Sequence, residues 1–463
     1  MSEKEPLLLF YCYEPSIWKN PHYDERHVNF VKESLADLTI ELKSRGSNVL
    51  CVTSEIIPFF KTLQKHYQIK HLFSAEESGI DVTYIRDKQV QKFCASEKIR
   101  WHEAQTNGVL RAIKSRKGWS SKWYRYMTSE EKTFDPSTSD FLEIAQVEQL
   151  ASHFEPFDLE TPEHPFQKGG RTEALKWKTS FFNERVEFYS DYISKPELSR
   201  YGCSRLSPYI SWGNLSIREL YQEAKTLKSN GQHKRQLNAF MSRLRWQSHF
   251  IQKFEMEPRM EFEAVNRGYL DLEQPINQDY IKAWKTGQTG FPLVDASIRC
   301  LIETGYINFR MRAMITSFFC HHLFQHFTHM SEWLARQFLD FEAGIHYGQL
   351  QMQAGFTGTN TIRVYNPVKN ALDHDPEAVF IKKYVPELRN LPINLAIQPW
   401  EISEMESQLY HFNYGTDYPE RMVDLKETRA YALAKLYGQR KTDLARSEKT
   451  RIVATHTIQR SKR

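Results

Sequence analysis

Four stretches of this chain gather residue types that can do chemistry. Residues 202–216 read GCSRLSPYISWGNLS and set Cys203, Ser204 and Ser207 before and into the first turn of a predicted helix. Hydroxyls and free backbone amides at a helix start hold an anion such as a pyrophosphate, and elsewhere the same arrangement is an ordinary cap. Residues 339–355, LDFEAGIHYGQLQMQAG, bring Asp340, Glu342 and His346 close together at a helix end or loop. Acids and an imidazole at that spacing suit metal binding or proton handling, but no fixed ligand pattern such as H-E-x-x-H is present and no metal is expected. Residues 284–312 form a Gly-punctuated turn leading into an amphipathic helix and a basic end carrying Arg310 and Arg312, and residues 363–392 open with Arg363 in RVYNP. In HHLFQHFTH, His322, His326 and His329 recur at i, i+4 and i+7. With no acid in register behind them, they are read as polar residues on one helix face rather than metal ligands.

The elements that must position these groups fall into two kinds. Apolar runs rich in β-formers at 6–13, 48–54, 69–75 and 99–104 alternate with helical patterns near 26–45, 56–66 and 80–96. Strands alternating with helices predict an α/β domain over 1–125, built on a doubly wound parallel sheet. Residues 126–170 are rich in Pro, Ser and Thr with weak periodicity and read as a surface linker. From 171 to 443 the period becomes helical throughout, predicting a large all-α domain. Residues 444–463 hold six Lys and Arg against one Glu and are expected as a solvated basic tail able to touch phosphates.

Composition bounds what such a protein does. The chain has 463 residues, 40% of them apolar and 13% aromatic, enough for sizeable cores and too much for disorder. It contains no run of the roughly 18 apolar residues that a membrane helix needs, and its acidic start does not suit a secretion signal; a cytoplasmic monomer is expected. Six widely spaced cysteines (Cys12, Cys51, Cys94, Cys203, Cys300, Cys320) give neither a disulfide framework nor a metal knuckle. A net charge of +5 permits nucleic-acid binding without demanding it.

Read in order, EPSIW (14–18), EESGIDVTYIRDKQV (76–90), NGVLR (107–111), W-x-x-G-x-T-G-x-P-x-V-D-A from Trp284 and R-x-x-N-P from Arg363 run through nearly the whole chain. This set resembles the cryptochrome/photolyase family, whose members join an α/β domain to an all-helical FAD-binding domain. The resemblance implies a U-shaped FAD with its pyrophosphate on Cys203, Ser204, Arg205, Leu206 and Ser207 and its ribityl chain near Tyr192. Phe240, Phe341 and Glu342 count among its contacts, and Asp340 and Arg312 pair beside the isoalloxazine. An ionised acid there requires a cation close by, because a buried carboxylate left unpaired takes up a proton. His346 stands where photolyases commonly carry Asn facing flavin N5; a neutral imidazole accepts a hydrogen bond there, and a protonated one delivers a proton. The implied activity is blue-light-driven repair of UV-induced pyrimidine dimers by electron transfer, with UV-damaged DNA as partner. Trp246 would stack on the flipped lesion and act with His346 in catalysis, while Arg243, Arg310 and Arg363 face the DNA. The alternative is a cryptochrome-type photoreceptor without repair. The antenna chromophore is not identified.

The chain also departs from the family pattern. Arg243 replaces a lesion-binding Glu and cannot accept the hydrogen bonds that a carboxylate accepts. Phe309 replaces an Asn, Met352 a Trp, and Asn308 and Ala313 the paired histidines of the (6-4) enzymes. The three tryptophans that relay electrons to the flavin are represented by Leu350, Phe327 and a residue near Gln274, with Trp333, Tyr306 and Tyr347 as substitutes nearby in sequence. The family's opening strand has no counterpart before PLLLFYCYEPSIW, which matches the second strand. The central strand of the sheet is therefore expected to be missing, through a start codon placed late or a gap closed differently.

Overall fold

The computed structural model describes residues 5–131 and 140–458. Four short strands, β1 (Phe10–Tyr13), β2 (Leu50–Thr53), β3 (His71–Ala75) and β4 (Arg100–Ala104), fall inside the four β-rich runs. β1 pairs in parallel with β2, and β3 in parallel with β4, each across an intervening helix. A two-residue strand, β5 (Glu155–Pro156), adds antiparallel to β2. Among the described residues no strand joins the two ladders, β1-β2-β5 and β3-β4. The sheet is thus divided at the place where the sequence implied a missing central strand. Leu50, Val52, Phe59, Phe60 and Phe93 form the core beneath it.

Residues 126–170 differ from the linker expected of them. Helix Ile144–Ala151 sends Val147 and Leu150 into the same core as β2, and β5 extends that ladder. Helix Trp119–Thr128 begins before the expected boundary and buries Trp119, Trp123 and Met127 in a second core with Leu220, Leu237 and Phe240. The apolar stripes responsible are only two turns long, too short to outweigh a Pro- and Ser-rich surround in a reading of periodicity. The densest part of that surround, 132–139, lies outside the described residues.

The basic tail is also ordered through residue 456. Helix Asp443–His456 buries Ala445, Glu448, Ile452 and His456 against the neighbouring helices. Arg451 pairs with Glu257 at 2.8 Å and Glu448 at 2.9 Å, and His456 Nε2 reaches Glu257 Oε2 at 2.7 Å. One charge of the expected solvated arm, Arg451, is therefore paired with buried acids, while Arg446 meets only the exposed Asp443 and residues 459–463 lie outside the described chain. The histidine cluster needs a similar correction. Residues Phe318–His322 form a π-helical turn, and the next regular helix starts at Thr328, so His322, His326 and His329 do not share one helix face. His322 is buried, bonded to Thr428 Oγ1 at 2.8 Å and the Tyr365 carbonyl at 3.0 Å. Among the described residues no group of side chains is arranged to hold a metal.

The central contact of the helical part joins helix Lys234–Met256, which carries Phe240, Arg243 and Trp246, to helix Ala343–Gln353, which carries His346. Gly344 and Gly348 make it possible. A Cβ on Gly344 would stand 2.5 Å from Ile251 Cα, and one on Gly348 2.8 Å from the Phe250 ring. Neither neighbour can retreat, because the first is backbone and the second is buried. Gly344→Ala is expected to lower the unfolding free energy by roughly 1–3 kcal/mol, the usual cost of overpacking, measured by urea denaturation. A stability equal to the parent's would contradict the close approach. Glu257 supplies a second prediction: after burial, His456 and the Arg451 and Arg259 guanidinium groups hold its carboxyl down to about 2, below its ordinary 4.5. A depressed acid stabilises the fold above its unfolded value and loses that contribution as pH falls toward the folded one. Protease sensitivity of helix Asp443–His456 should therefore rise as pH drops from 4.5 toward 2, and Glu257→Gln should abolish that dependence.

Candidate active site

The anion-binding turn is built from an awkward backbone. After Gly202 the chain passes through Arg205 at φ +58°, in the left-handed region, before the short helix Ser207–Ser211. Gly202 is required, since a Cβ there would lie 2.6 Å from the Tyr192 ring. Arg185 braces the turn. Its guanidinium donates to the carbonyls of Cys203, Ser204 (3.3 Å) and Trp177 (2.8 Å), and its Nε to Ser180 Oγ (2.9 Å). The Arg205 guanidinium lies 3.8 Å over the Tyr306 ring and donates to Gln167 Oε1 at 3.2 Å, while its buried Nε has no partner. Arg200 reaches Thr304 Oγ1 at 3.3 Å.

Among the described residues none of these three arginines pairs with a carboxylate. Burial, with repulsion from Arg205 added, pushes Arg185 down to about 10, and burial lowers Arg205 as well. Arginine gives up its proton only with difficulty, so this half-buried corner carries an excess of positive charge, only partly offset by Asp340 and Glu184 from beyond contact, that an anion would relieve. Arg185 and Arg200, with Trp177, Phe188, Tyr192 and Tyr201, line a cavity of about 440 Å³ beside the turn.

A second charged group lies deeper. Arg312 Nη2 meets both oxygens of Asp340 at 3.0 Å, its Nε donates to the Ile307 carbonyl at 3.0 Å, and the guanidinium sits 4.0 Å over Phe338. Asn308 caps the helix Phe309–Ser317 that aims Arg312, and Ser211 Oγ and Trp212 Nε1 hold the carbonyls of Asp340 and Leu339 at 3.2 and 2.8 Å. His346 is buried 5.4 Å from Phe341, with its Nε2 2.9 Å from the Ser331 carbonyl. Burial pushes its imidazole down to about 3, so Nε2–H donates to Ser331 and Nδ1 is left as an acceptor. Burial, with repulsion from Glu77, raises the Glu342 carboxyl to about 7.

Toward solvent, Trp246 is 48% and Phe309 39% exposed, large aromatic surfaces with the Arg243 guanidinium 5.9 Å above the Phe309 ring. Arg310 shares the helix of Phe309 and Arg312, and Arg363 is exposed on the loop whose carbonyl accepts from Ser317 Oγ. Phe240 is instead wrapped by Phe181, Phe182 and Tyr189 within 5.9 Å, so it supports the site's wall from the core side. Cys203 is a buried thiol that burial pushes up to about 12, and Leu206 is buried beside it. Leu350 and Phe327 are core residues. Of their suggested substitutes, Tyr306 lies under Arg205, Tyr347 bonds His22 Nε2 at 2.5 Å, and Trp333 meets Trp284 edge to face at 5.4 Å. Sequence reading missed Arg185 and Arg200, whose role arises from burial without an acid, a property no local spacing displays.

A guanidinium cradle with no carboxylate in contact, beside an acid–guanidinium pair and set in helices behind an α/β sheet, defines a protein that binds a dinucleotide cofactor. The orphaned Arg205 Nε suits its pyrophosphate, and the Arg312–Asp340 pair, with a neutral acceptor at His346, suits a flavin ring. Residues 240–438 match the FAD binding domain of DNA photolyase, and residues 1–143 match the family DNA photolyase. The chain belongs to the cryptochrome/photolyase family. It is 29% identical over 272 residues to the deoxyribodipyrimidine photo-lyase of Alkalihalophilus pseudofirmus, 58% of this chain and 56% of that protein. It is 29% identical over 266 residues to the cryptochrome DASH of Gloeobacter violaceus, 57% of this chain and 53% of that protein. These matches span about half of each relative. A weaker likeness, 25% over 463 residues, covers 94% of both this chain and the deoxyribodipyrimidine photo-lyase of Vibrio cholerae. The fold matches a class III photolyase of Agrobacterium tumefaciens (TM-score 0.79, 19% identity, 95% of this chain and 93% of that one). It matches equally the Synechocystis cryptochrome (TM-score 0.82, 21% identity, 93% of each chain).

Arg205→Met should weaken flavin retention by roughly 1–3 kcal/mol, the loss of hydrogen bonds to a charged group. The flavin-free protein should melt little below its parent, since the guanidinium removed has no carboxylate partner and an unsatisfied Nε, and gives up only its bond to Gln167 and its contact with the Tyr306 ring. Unchanged flavin content after dialysis would show that Arg205 does not meet the cofactor.

Proposed function

We propose that this protein uses FAD and blue light to repair UV-induced pyrimidine dimers in DNA by electron transfer. The observation that carries this reading is the exposed aromatic and cationic surface of Trp246, Arg243 and Phe309, the last on the same helix that holds Arg312 against Asp340. Such a surface beside a flavin site suits two unstacked neighbouring bases with their phosphates. When bound and reduced, the flavin would supply the photoexcited electron.

The chain's own residues do the rest. Trp246 offers a stacking face to the flipped lesion, and Arg310 and Arg363 offer guanidinium donors to the flanking phosphates, so binding should weaken as salt rises. Arg243 donates where a carboxylate would accept, which favours the lesion's carbonyl or phosphate oxygens. Asp340 and Arg312 hold fixed opposite charges, and His346 keeps its proton on Nε2 against Ser331 while Nδ1 accepts.

The deciding experiment incubates photoreduced protein under blue light with DNA bearing cyclobutane dimers or (6-4) products and measures restored bases. Restoration of either lesion is the expected result. Trp246→Ala should weaken lesion binding by roughly 1–3 kcal/mol, the contribution of one base–aromatic stack. Bound flavin with neither lesion restored would favour the photoreceptor reading instead.

A further inference from the structure

A continuous run of oxidisable rings leads from the Asp340 loop into the α/β domain. Trp212 donates its Nε1–H to the Leu339 carbonyl, one residue before Asp340, at 2.8 Å. Its ring stacks on Trp18 at 6.0 Å and 16°, and Trp18 stacks in turn on Tyr13 at 5.8 Å and 4°. Trp18 Nε1 also donates to Tyr11 Oη at 3.1 Å, and Tyr23 joins from the side, 5.1 Å from Trp18 and 6.0 Å from Phe341. Phe341 lies 5.4 Å from His346. One aromatic file therefore starts at the backbone beside Asp340, with a side branch through Tyr23 and Phe341 to His346, and its far member, Tyr13 on β1, is partly open to solvent. The alternative pair, Trp333 and Trp284, ends on Phe319 at 4.8 Å, a ring too hard to oxidise to pass a hole onward.

We propose that Trp212, Trp18 and Tyr13 form an electron relay that reduces the bound flavin, replacing the route closed by Leu350 and Phe327. This inference rests on the flavin reading above. Light makes the oxidised flavin a strong one-electron oxidant, and it takes one electron from Trp212. Trp18 refills Trp212, and Tyr13 refills Trp18, so each indole loses and regains one electron. Tyr13 finally loses one electron and its phenolic proton, the proton passing to water. A thiol in solution returns a hydrogen atom to Tyr13, and two thiols end as a disulfide. The near-coplanar stacking keeps the indole faces in contact, and Trp18 is the member without which the file is broken.

The test uses the full-length, flavin-loaded protein under blue light with excess thiol, following flavin bleaching and, by transient absorption and electron paramagnetic resonance, the protein radicals. Trp18→Phe should slow bleaching by an order of magnitude or more at unchanged flavin content, and Trp212→Phe, which also gives up its bond to the Leu339 carbonyl, should slow it as much when rates are compared per bound flavin. Trp18→Tyr, which keeps an oxidisable ring, should restore part of the rate, and Trp400→Phe should leave it untouched. Tyr13→Phe should remove the phenoxyl signal and prolong that of the indole. Wild-type bleaching in flavin-loaded Trp18→Phe, with the phenoxyl signal intact, overturns the relay alone. A wild-type protein that takes up no flavin overturns the relay together with the cofactor reading.

Discussion

Half-buried positive charge with no carboxylate in contact is the constraint on which this site depends. Arg185, Arg200 and Arg205 converge near one turn, satisfied by carbonyls, a hydroxyl and an amide but by no carboxylate. A fold tolerates such a group only where something else supplies the negative charge, because desolvating a guanidinium is expensive and it does not deprotonate in compensation. The dinucleotide pyrophosphate fits that requirement. The left-handed Arg205 and the bare Gly202 become intelligible as backbone features that bring the turn to the anion rather than as local preferences.

From that cradle the architecture follows outward. Arg312 and Asp340 neutralise each other, so the flavin end of the site needs no external charge, whereas the phosphate end does. Gly344 and Gly348 let the helices that carry His346 and Trp246 touch closely, which makes of them a stiff unit. The outer surface, with Trp246, Phe309 and Arg243 exposed, is aromatic and cationic, so substitutions there need not disturb the buried acid–guanidinium pair.

The divided sheet bears on the same theme. Two parallel ladders without a shared strand make a less extensive α/β layer than a doubly wound sheet gives, and the space near β1 is filled by rings from distant segments: Trp18, Tyr23, Trp212 and Phe157. Aromatic packing thus joins the two parts of the chain, and the same contact brings oxidisable groups into line.

The sequence by itself determined the four strands, the helical character beyond residue 171 and the set of motif residues from Cys203 to Arg363, because these are written in local periodicity and in short ordered patterns. It also announced the absent strand. The ordering of 141–156 and of the C-terminal helix was not legible, since each depends on a brief apolar stripe, or a buried Glu257, supplied by a remote segment. Tertiary structure alone decided which arginines have no carboxylate in contact, that His346 is buried with Nε2 against the Ser331 carbonyl, that Phe240 lies behind the wall, and that Trp18 meets Trp212. Each is a matter of burial or of contact between positions far apart in the chain, and neither burial nor long-range contact leaves a period that residue spacing can reveal.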